Sequence, residues 1–355
     1  MDHPYAELPQ KAFWKPAVAD RYPEQIADLW DPAFHLRKRH KVATFGSCFA
    51  QHISRALRRA GYGWIDAEPL PSFVPTDDAA RLNYGVYSAR TGNIYTCADL
   101  RQWLGWAAGD ASAPAEAWHK DGRVFDPFRP AIEPGGFASV EEMQNSRRAT
   151  IDALRDAVER ADLFVFTMGL TESWRNRDGY SYAMCPGTLA GSFDSELHHF
   201  HNDDAASAGE DLRHALKILR RLNPKIRVLL TVSPVPLTAT ASGQHVLTAT
   251  TYSKSVLRAV AGQTADRFGY VDYFPSYEII TSPPFGGRYF MPNKRSVAQE
   301  GVDFVMSVFL SSLERKFGAE VEPKAVSPAR PVRKAAVSTR SDDLVCEEEM
   351  LSAFG

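Results

Sequence analysis

Ser47 is the residue whose position first suggests chemistry. It follows the apolar run Lys41-Val-Ala-Thr-Phe and Gly46. An amphipathic run comes next, with Ile53, Ala56, Leu57 and Ala60 at helical spacing and Arg55, Arg58 and Arg59 between them. That pattern predicts a strand, a sharp turn and a helix. Glycine takes backbone angles that a Cβ disfavours, so Gly46 suits the turn. Ser47 then stands at the carboxyl end of a strand and near the amino end of a helix. Open α/β sheets bind ligands at such strand ends. The first N–H groups of a helix favour an oxyanion there. A plain strand-to-helix turn capped by Ser47 would leave the same pattern.

Other residues with chemical potential fall after the remaining strands. Asn83-Tyr-Gly85 lies in a long segment after the second strand, and Gly169-Leu-Thr171-Glu172 follows the third. Ser233-Pro-Val-Pro236 follows the fourth. His245 is in the loop 237–248, and His201 ends the cluster His198-His199-Phe200-His201. Adjacent histidines point apart and have no acidic or cysteine partner at ligand spacing, so no metal is expected. Cys48, Cys97, Cys185 and Cys346 are scattered without a CxxC pair, which argues against a zinc site or a disulfide framework. Cys48 is the alternative nucleophile to Ser47; its expected direction is into the fold.

The elements that must position these residues alternate. The short stretch 61–65 reads as a second strand. An amphipathic helix carries Ile151, Leu154, Val158 and Ala161. The run 163–167 is continuously apolar, as a buried parallel strand should be. A helix at about 208–222, a strand at 226–232, a helix at about 250–267, a strand at 269–274 and a closing helix over 301–310 follow. Strand–helix alternation predicts an α/β, three-layer, doubly wound parallel sheet. Residues 1–40, rich in proline and aromatics, read as an N-terminal arm. The domain runs 41–318 with a large insertion at 66–148. The composition of 322–340 reads as a disordered linker. The whole segment 319–355 ends in a short peptide whose Leu344, Val345, Met350, Leu351 and Phe354 would share one helical face. It is either a frayed tail or a docking peptide for a groove on a protein partner.

Composition narrows the class. The chain has 355 residues, 44% hydrophobic and 24% charged, as in a globular protein. A net charge of −2 gives no reason to expect nucleic acid or an anionic membrane as partner. No apolar run approaches the ~20 residues that span a bilayer. MDHPYAELPQ has neither a basic n-region nor an apolar h-region, so a cytoplasmic location is expected.

The constellation of Ser47, Asn83-Tyr-Gly85, Gly169-Leu-Thr171-Glu172 and Ser233-Pro-Val-Pro236 resembles the SGNH/GDSL hydrolases. More closely, Gly46-Ser47-Cys48-Phe49-Ala50 is the string that names the GSCFA domain family. The resemblance continues in order through Gly169-Leu-Thr-Glu-Ser-Trp174, Cys185-Pro-Gly187, Phe200-His-Asn202, Val232-Ser-Pro-Val235, Ser253-Lys254 and Tyr273-Phe-Pro-Ser-Tyr-Glu278. It implies an SGNH-like fold and acyl-ester chemistry at Ser47. The Ser47 and Gly85 N–H groups, with a donor from the Gly169–Thr171 turn, would hold the oxyanion, and Asn83 would line the site. Glu172 would occupy the last slot of a Gly-x-Asn-Asp-like turn, with Thr171 in place of Asn.

The general base departs from that pattern. SGNH enzymes carry Asp-x-x-His before the closing helix; here 288–300 contains no histidine. The expected base is therefore His245 first and His201 second. Arg288 would neutralise an anionic substrate or bridge to a surface carboxylate. The expected activity is hydrolysis or transfer of an acyl ester on a saccharide or glycan precursor. No cofactor is expected, although transfer would need an acyl donor such as acetyl-CoA. The alternative is a catalytically degenerate binding module for a glycan or protein.

Overall fold

The computed structural model describes residues 3–26, 28–318 and 347–354. In chain order, β1 (Lys41–Gly46) leads into α1 (Phe49–Arg59) and β2 (Gly63–Trp64). The insertion carries α2 (Cys97–Ala108) and the hairpin β3 (Trp118–Lys120) and β4 (Arg123–Phe125). Then come α3 (Val140–Arg160), β5 (Leu163–Met168), β6 (Glu172–Asn176), β7 (Ser181–Tyr182) and β8 (His198–Asn202). The rest is α4 (Ala205–Leu222), β9 (Arg227–Val232), α5 (Val246–Arg267), β10 (Val271–Tyr273), α6 (Ser276–Thr281) and α7 (Gln299–Phe317). A 3₁₀ helix, Glu347–Phe354, ends the described chain.

Five strands form a parallel sheet in the order β10-β9-β5-β1-β2. The winding direction reverses between β1 and β5. The carboxyl ends of those two strands therefore define the switch point at which such sheets take ligands. Side chains alternate across the sheet. On β5, Phe164, Phe166 and Met168 pack on one face with Leu100 and Trp103 of α2, Leu154 of α3, Leu212 of α4 and Leu257 of α5. Leu163 and Val165 pack on the other face with Phe49 and Ile53 of α1 and Val305 and Phe309 of α7. Both faces are covered, which gives the three-layer α/β architecture and explains why the strands read as continuous apolar runs. The arm closes the second face: Trp30 stacks on Phe309 at 5.1 Å and meets Phe274 edge-on at 5.0 Å.

The excursion after β5 folds as an antiparallel sheet in the order β7-β6-β8, which the sequence pattern did not reveal. Residues 319–346, including the expected linker and Leu344 and Val345, lie outside the described residues. Among the described residues no helix is long and apolar enough to cross a membrane.

The insertion is tied to α3 by buried charge. Asp126 accepts from Arg129 at 2.7 Å and Arg147 at 2.8 Å, and all three are almost fully buried. Arg129 also donates to the Arg90 carbonyl at 3.1 Å and the Thr150 hydroxyl at 2.6 Å. Burial alone would raise the Asp126 carboxyl; the two guanidiniums override it and hold it below its ordinary value. Removing one member of such a cluster leaves its partners charged and unpaired. Asp126→Ala should therefore lose about 3–5 kcal/mol in urea unfolding. Glu159→Ala, which breaks only the exposed pair with Arg155, should lose no more than ~0.5 kcal/mol.

Candidate functional site

The site begins with a turn that only glycine permits. Gly46 has φ +135°, and a Cβ there would lie 2.3 Å from the Thr167 carbonyl oxygen of the neighbouring strand. Ser47 follows, and its N–H donates to the same oxygen at 3.0 Å. Its side chain is 2% exposed, and its Oγ has no hydrogen-bond partner among the described residues. α1 starts two residues later, and the N–H groups of Ala50 and Gln51 in its first turn donate to the Ser47 and Cys48 carbonyls at 2.8 and 3.1 Å.

Two further segments converge on Ser47. The Ile94 N–H donates to the Gly46 carbonyl at 2.9 Å, which seats the stretch 92–95 against the turn. The N–H groups of Gly169 and Leu170 both donate to the Tyr95 carbonyl, at 2.9 and 3.0 Å. Gly169 lies so close that a Cβ on it would fall 2.9 Å from the Ser47 Cβ. The Gly169 carbonyl accepts from Lys254 Nζ at 2.7 Å. Lys254 sits on the buried stripe of α5 with Ser253, Leu257 and Ala261 and is 1% exposed. Burial pushes its amine down to about 8, against the opposing pull of Glu348 and Cys48.

The terminal 3₁₀ helix closes this end of the sheet. Glu347 accepts from the Asn93 amide and from the Tyr95 hydroxyl, the latter at 3.2 Å. Glu348 accepts from the Thr238 N–H at 2.8 Å and from Arg295 at 3.2 Å. A cavity of about 310 Å³ remains beside it, with Leu170, Glu172, Trp174, Phe200, Glu348 and Leu351 in its wall.

A family model described as the GSCFA family matches residues 41–309. The chain belongs to the GSCFA family. No match was found among the curated proteins compared. The GSCFA segment contains Ser47, Asn93, Lys254 and Arg295; the docked residues Glu347 and Glu348 come from outside it.

Within this GSCFA domain the expected site residues separate into two groups. Ser47, Gly169 and Glu172 stand at the same end of the sheet. Glu172 is half-buried and accepts from Thr240 at 2.6 Å; burial raises its carboxyl, and the charge of Glu348 across the cavity adds to that. The expected oxyanion donors are already engaged. The Ser47 and Gly169 N–H groups bind carbonyls, the Thr171 N–H donates to Ser253 at 3.0 Å, and the Thr171 hydroxyl donates to Asn202 at 2.6 Å. The Gly85 carbonyl accepts from Arg58, in the last turn of α1, at 3.2 Å. Asn83 is buried at φ +60° with an amide that has no partner among the described residues. The segment that abuts Ser47 is thus 92–95 rather than 83–85, and Asn93 carries the amide there.

The two histidines expected as base are committed elsewhere. His245 is the exposed N-cap of α5, and its Nδ1 accepts from the Leu247 N–H at 3.1 Å. His201 pairs with Asp203 at 2.9 Å, and Asp203 also binds Arg175 at 3.0 Å. Strand alternation puts His201 on the face of β8 opposite Phe200, which lines the cavity. Arg288 is at the surface, where it pairs with Glu24 and Glu300 and so joins the arm to α7. Cys48 packs into the core beneath α1.

Sequence reasoning gave no site role to Asn93, Tyr95, Lys254 or Arg295, although Ser253-Lys254 stood among the family motifs. Lys254 carried a usable signal, since a lysine three residues before Leu257 and seven before Ala261 interrupts a buried helical stripe. The turn itself is testable by volume. Gly46→Ala should cost at least ~3 kcal/mol in urea unfolding, because the new Cβ meets backbone that cannot withdraw. Gly105→Ala in α2, where a Cβ meets nothing within 4 Å, should instead gain up to ~1 kcal/mol.

Proposed function

We propose that the protein is a serine-dependent acyl-ester hydrolase or acyltransferase acting on a saccharide or glycan precursor, with Ser47 as nucleophile and Lys254 as base. The observation that carries this reading is that a buried Ser47 hydroxyl, without a hydrogen-bond partner among the described residues, and a buried Lys254 both lie against Gly169. A serine hydroxyl is a weak nucleophile until a neighbouring base takes its proton, and serine–lysine pairs are a known variant of the triad. Burial lowers the Lys254 amine to about 8, which brings its neutral, proton-accepting form within reach near neutral pH.

The chemistry follows from the positions. Neutral Lys254 takes the proton of Ser47 as Oγ attacks the acyl carbonyl. The Asn93 amide stabilises the developing oxyanion. Lysine then returns the proton to the departing sugar oxygen, which leaves an acyl-serine. Water completes hydrolysis, and an acceptor hydroxyl completes transfer. The location proposed for such a precursor is the cytoplasm. Glu172, whose carboxyl is raised toward neutrality, is positioned to hydrogen-bond a sugar hydroxyl from the cavity wall.

A fluorophosphonate probe tests the reading, since only an activated serine is phosphonylated. Labelling of the wild-type protein should map to Ser47 and vanish in Ser47→Ala. Its rate should climb as pH rises through about 8, where Lys254 sheds its proton. Lys254→Gln should flatten that profile and slow labelling by ~10²–10⁴-fold. His245→Ala and His201→Ala should keep near wild-type rates. Loss of labelling in either histidine variant, with Lys254→Gln unaffected, would return the base to histidine. Absence of labelling in every form would favour a binding module.

A further inference from the structure

The terminal helix buries its acidic side rather than its apolar one. Glu347 is 1% exposed and Glu348 8%, whereas Met350 is 44% exposed and Phe354 71%. This reverses the orientation expected of an amphipathic docking peptide. Burying a carboxylate costs several kcal/mol unless donors are waiting for it. Each of the two has its own set: Asn93 and Tyr95 for Glu347, and the Thr238 N–H and Arg295 for Glu348. Arg295 also reaches Glu349 at 3.2 Å. These donors come from three separate segments of the GSCFA domain, so the receptor for two adjacent carboxylates belongs to the domain and not to the peptide.

The same contacts would oppose chemistry at the proposed site. The Asn93 amide, needed at the oxyanion, is held by Glu347. The negative charge of Glu348 shifts Lys254 toward its protonated form and so weakens it as a base.

We propose that the cleft beside Ser47 is a receptor for a peptide segment bearing two consecutive carboxylates, and that residues 347–354 fill it in cis as a tethered inhibitor. The inhibitory half rests on the Ser47 reading; the binding half does not. Tethering holds the terminal segment at an effective concentration in the millimolar range, so a competing peptide gains access only when the cis segment is weakened.

The test uses the full chain with Glu347→Lys and Glu348→Lys together, which sets two cations against Lys254 and Arg295. A Glu347→Gln, Glu348→Gln chain serves as the milder second variant. The probe is a fluorescein-labelled peptide, Glu-Glu-Glu-Met-Leu-Ser-Ala-Phe. It should bind the lysine variant at least about tenfold more tightly than wild type. The same peptide with glutamine at its first two positions should not bind. Hydrogen exchange at the Thr238 amide should quicken in both variants and slow again when the peptide is added. Fluorophosphonate labelling should be at least about tenfold faster in the lysine variant and should be slowed by the peptide. Equal peptide binding to wild type and variant would overturn the proposal, as would no binding together with unchanged exchange at Thr238. Peptide binding restricted to the variant, with no labelling of any form, would uphold the receptor and sink only the Ser47 reading.

Discussion

The parallel pairing of β1 with β5 is the contact on which the candidate site depends. Their register carries Gly46 alongside Thr167, so that the chain leaves both strands at the same height. The missing side chain at Gly46 lets the two backbones touch where a sharp turn is needed. Ser47 is fixed by that backbone contact and not by a rotamer choice. Gly169 repeats the device two residues beyond Thr167, and Tyr95 ties the third segment to it through one carbonyl that accepts two N–H groups. A hydroxyl, an amide and an amine from distant parts of the chain are thereby gathered around a few atoms of glycine backbone.

Charge at this end of the sheet is arranged at some cost. Lys254 lies buried with the Gly169 carbonyl as a hydrogen-bond partner, a position that depresses an ammonium. Glu347 and Glu348 are likewise raised by burial. Each group partly offsets the desolvation of another, as Arg295 and Lys254 do for Glu348. Contrast the insertion, where Asp126 meets two guanidiniums at hydrogen-bond distance and ends below its ordinary value. One cluster is satisfied and rigid; the other is under-compensated, which is how ionisable groups at functional sites often stand.

Strand and helix periods made the parallel sheet and its covering helices legible, because burial on both faces leaves long apolar runs and an amphipathic helix leaves a stripe. The β7-β6-β8 sheet was not legible: its strands are short, mix Glu172, Arg175 and three histidines, and bury little on one face. Strand ends mark Ser47, Gly169 and Glu172 in the sequence, and the fold puts all three at one end of the sheet. Asn93 could not, since nothing local distinguishes Thr91-Gly-Asn-Ile-Tyr95 from Leu82-Asn-Tyr-Gly85 as the segment that crosses the switch point. The histidines misled for a physical reason. His245 and His201 stand near the correct end of the sheet, but one is consumed by a helix cap and the other by strand alternation.

The small antiparallel sheet has a further implication for how this protein can change. Its two faces do separate jobs. Glu172, Trp174 and Phe200 look into the cavity, while Arg175, His201 and Asp203 form ion pairs on the reverse side. Because neighbours along a strand never share a face, a substitution that reshapes the cavity leaves the ion-paired side untouched. Selection can therefore remodel the cavity wall one residue at a time, without passing through unstable intermediates, while the anchoring face stays constant. Lineages that diverge in what they bind should accumulate their differences at every second residue of β6 and β8.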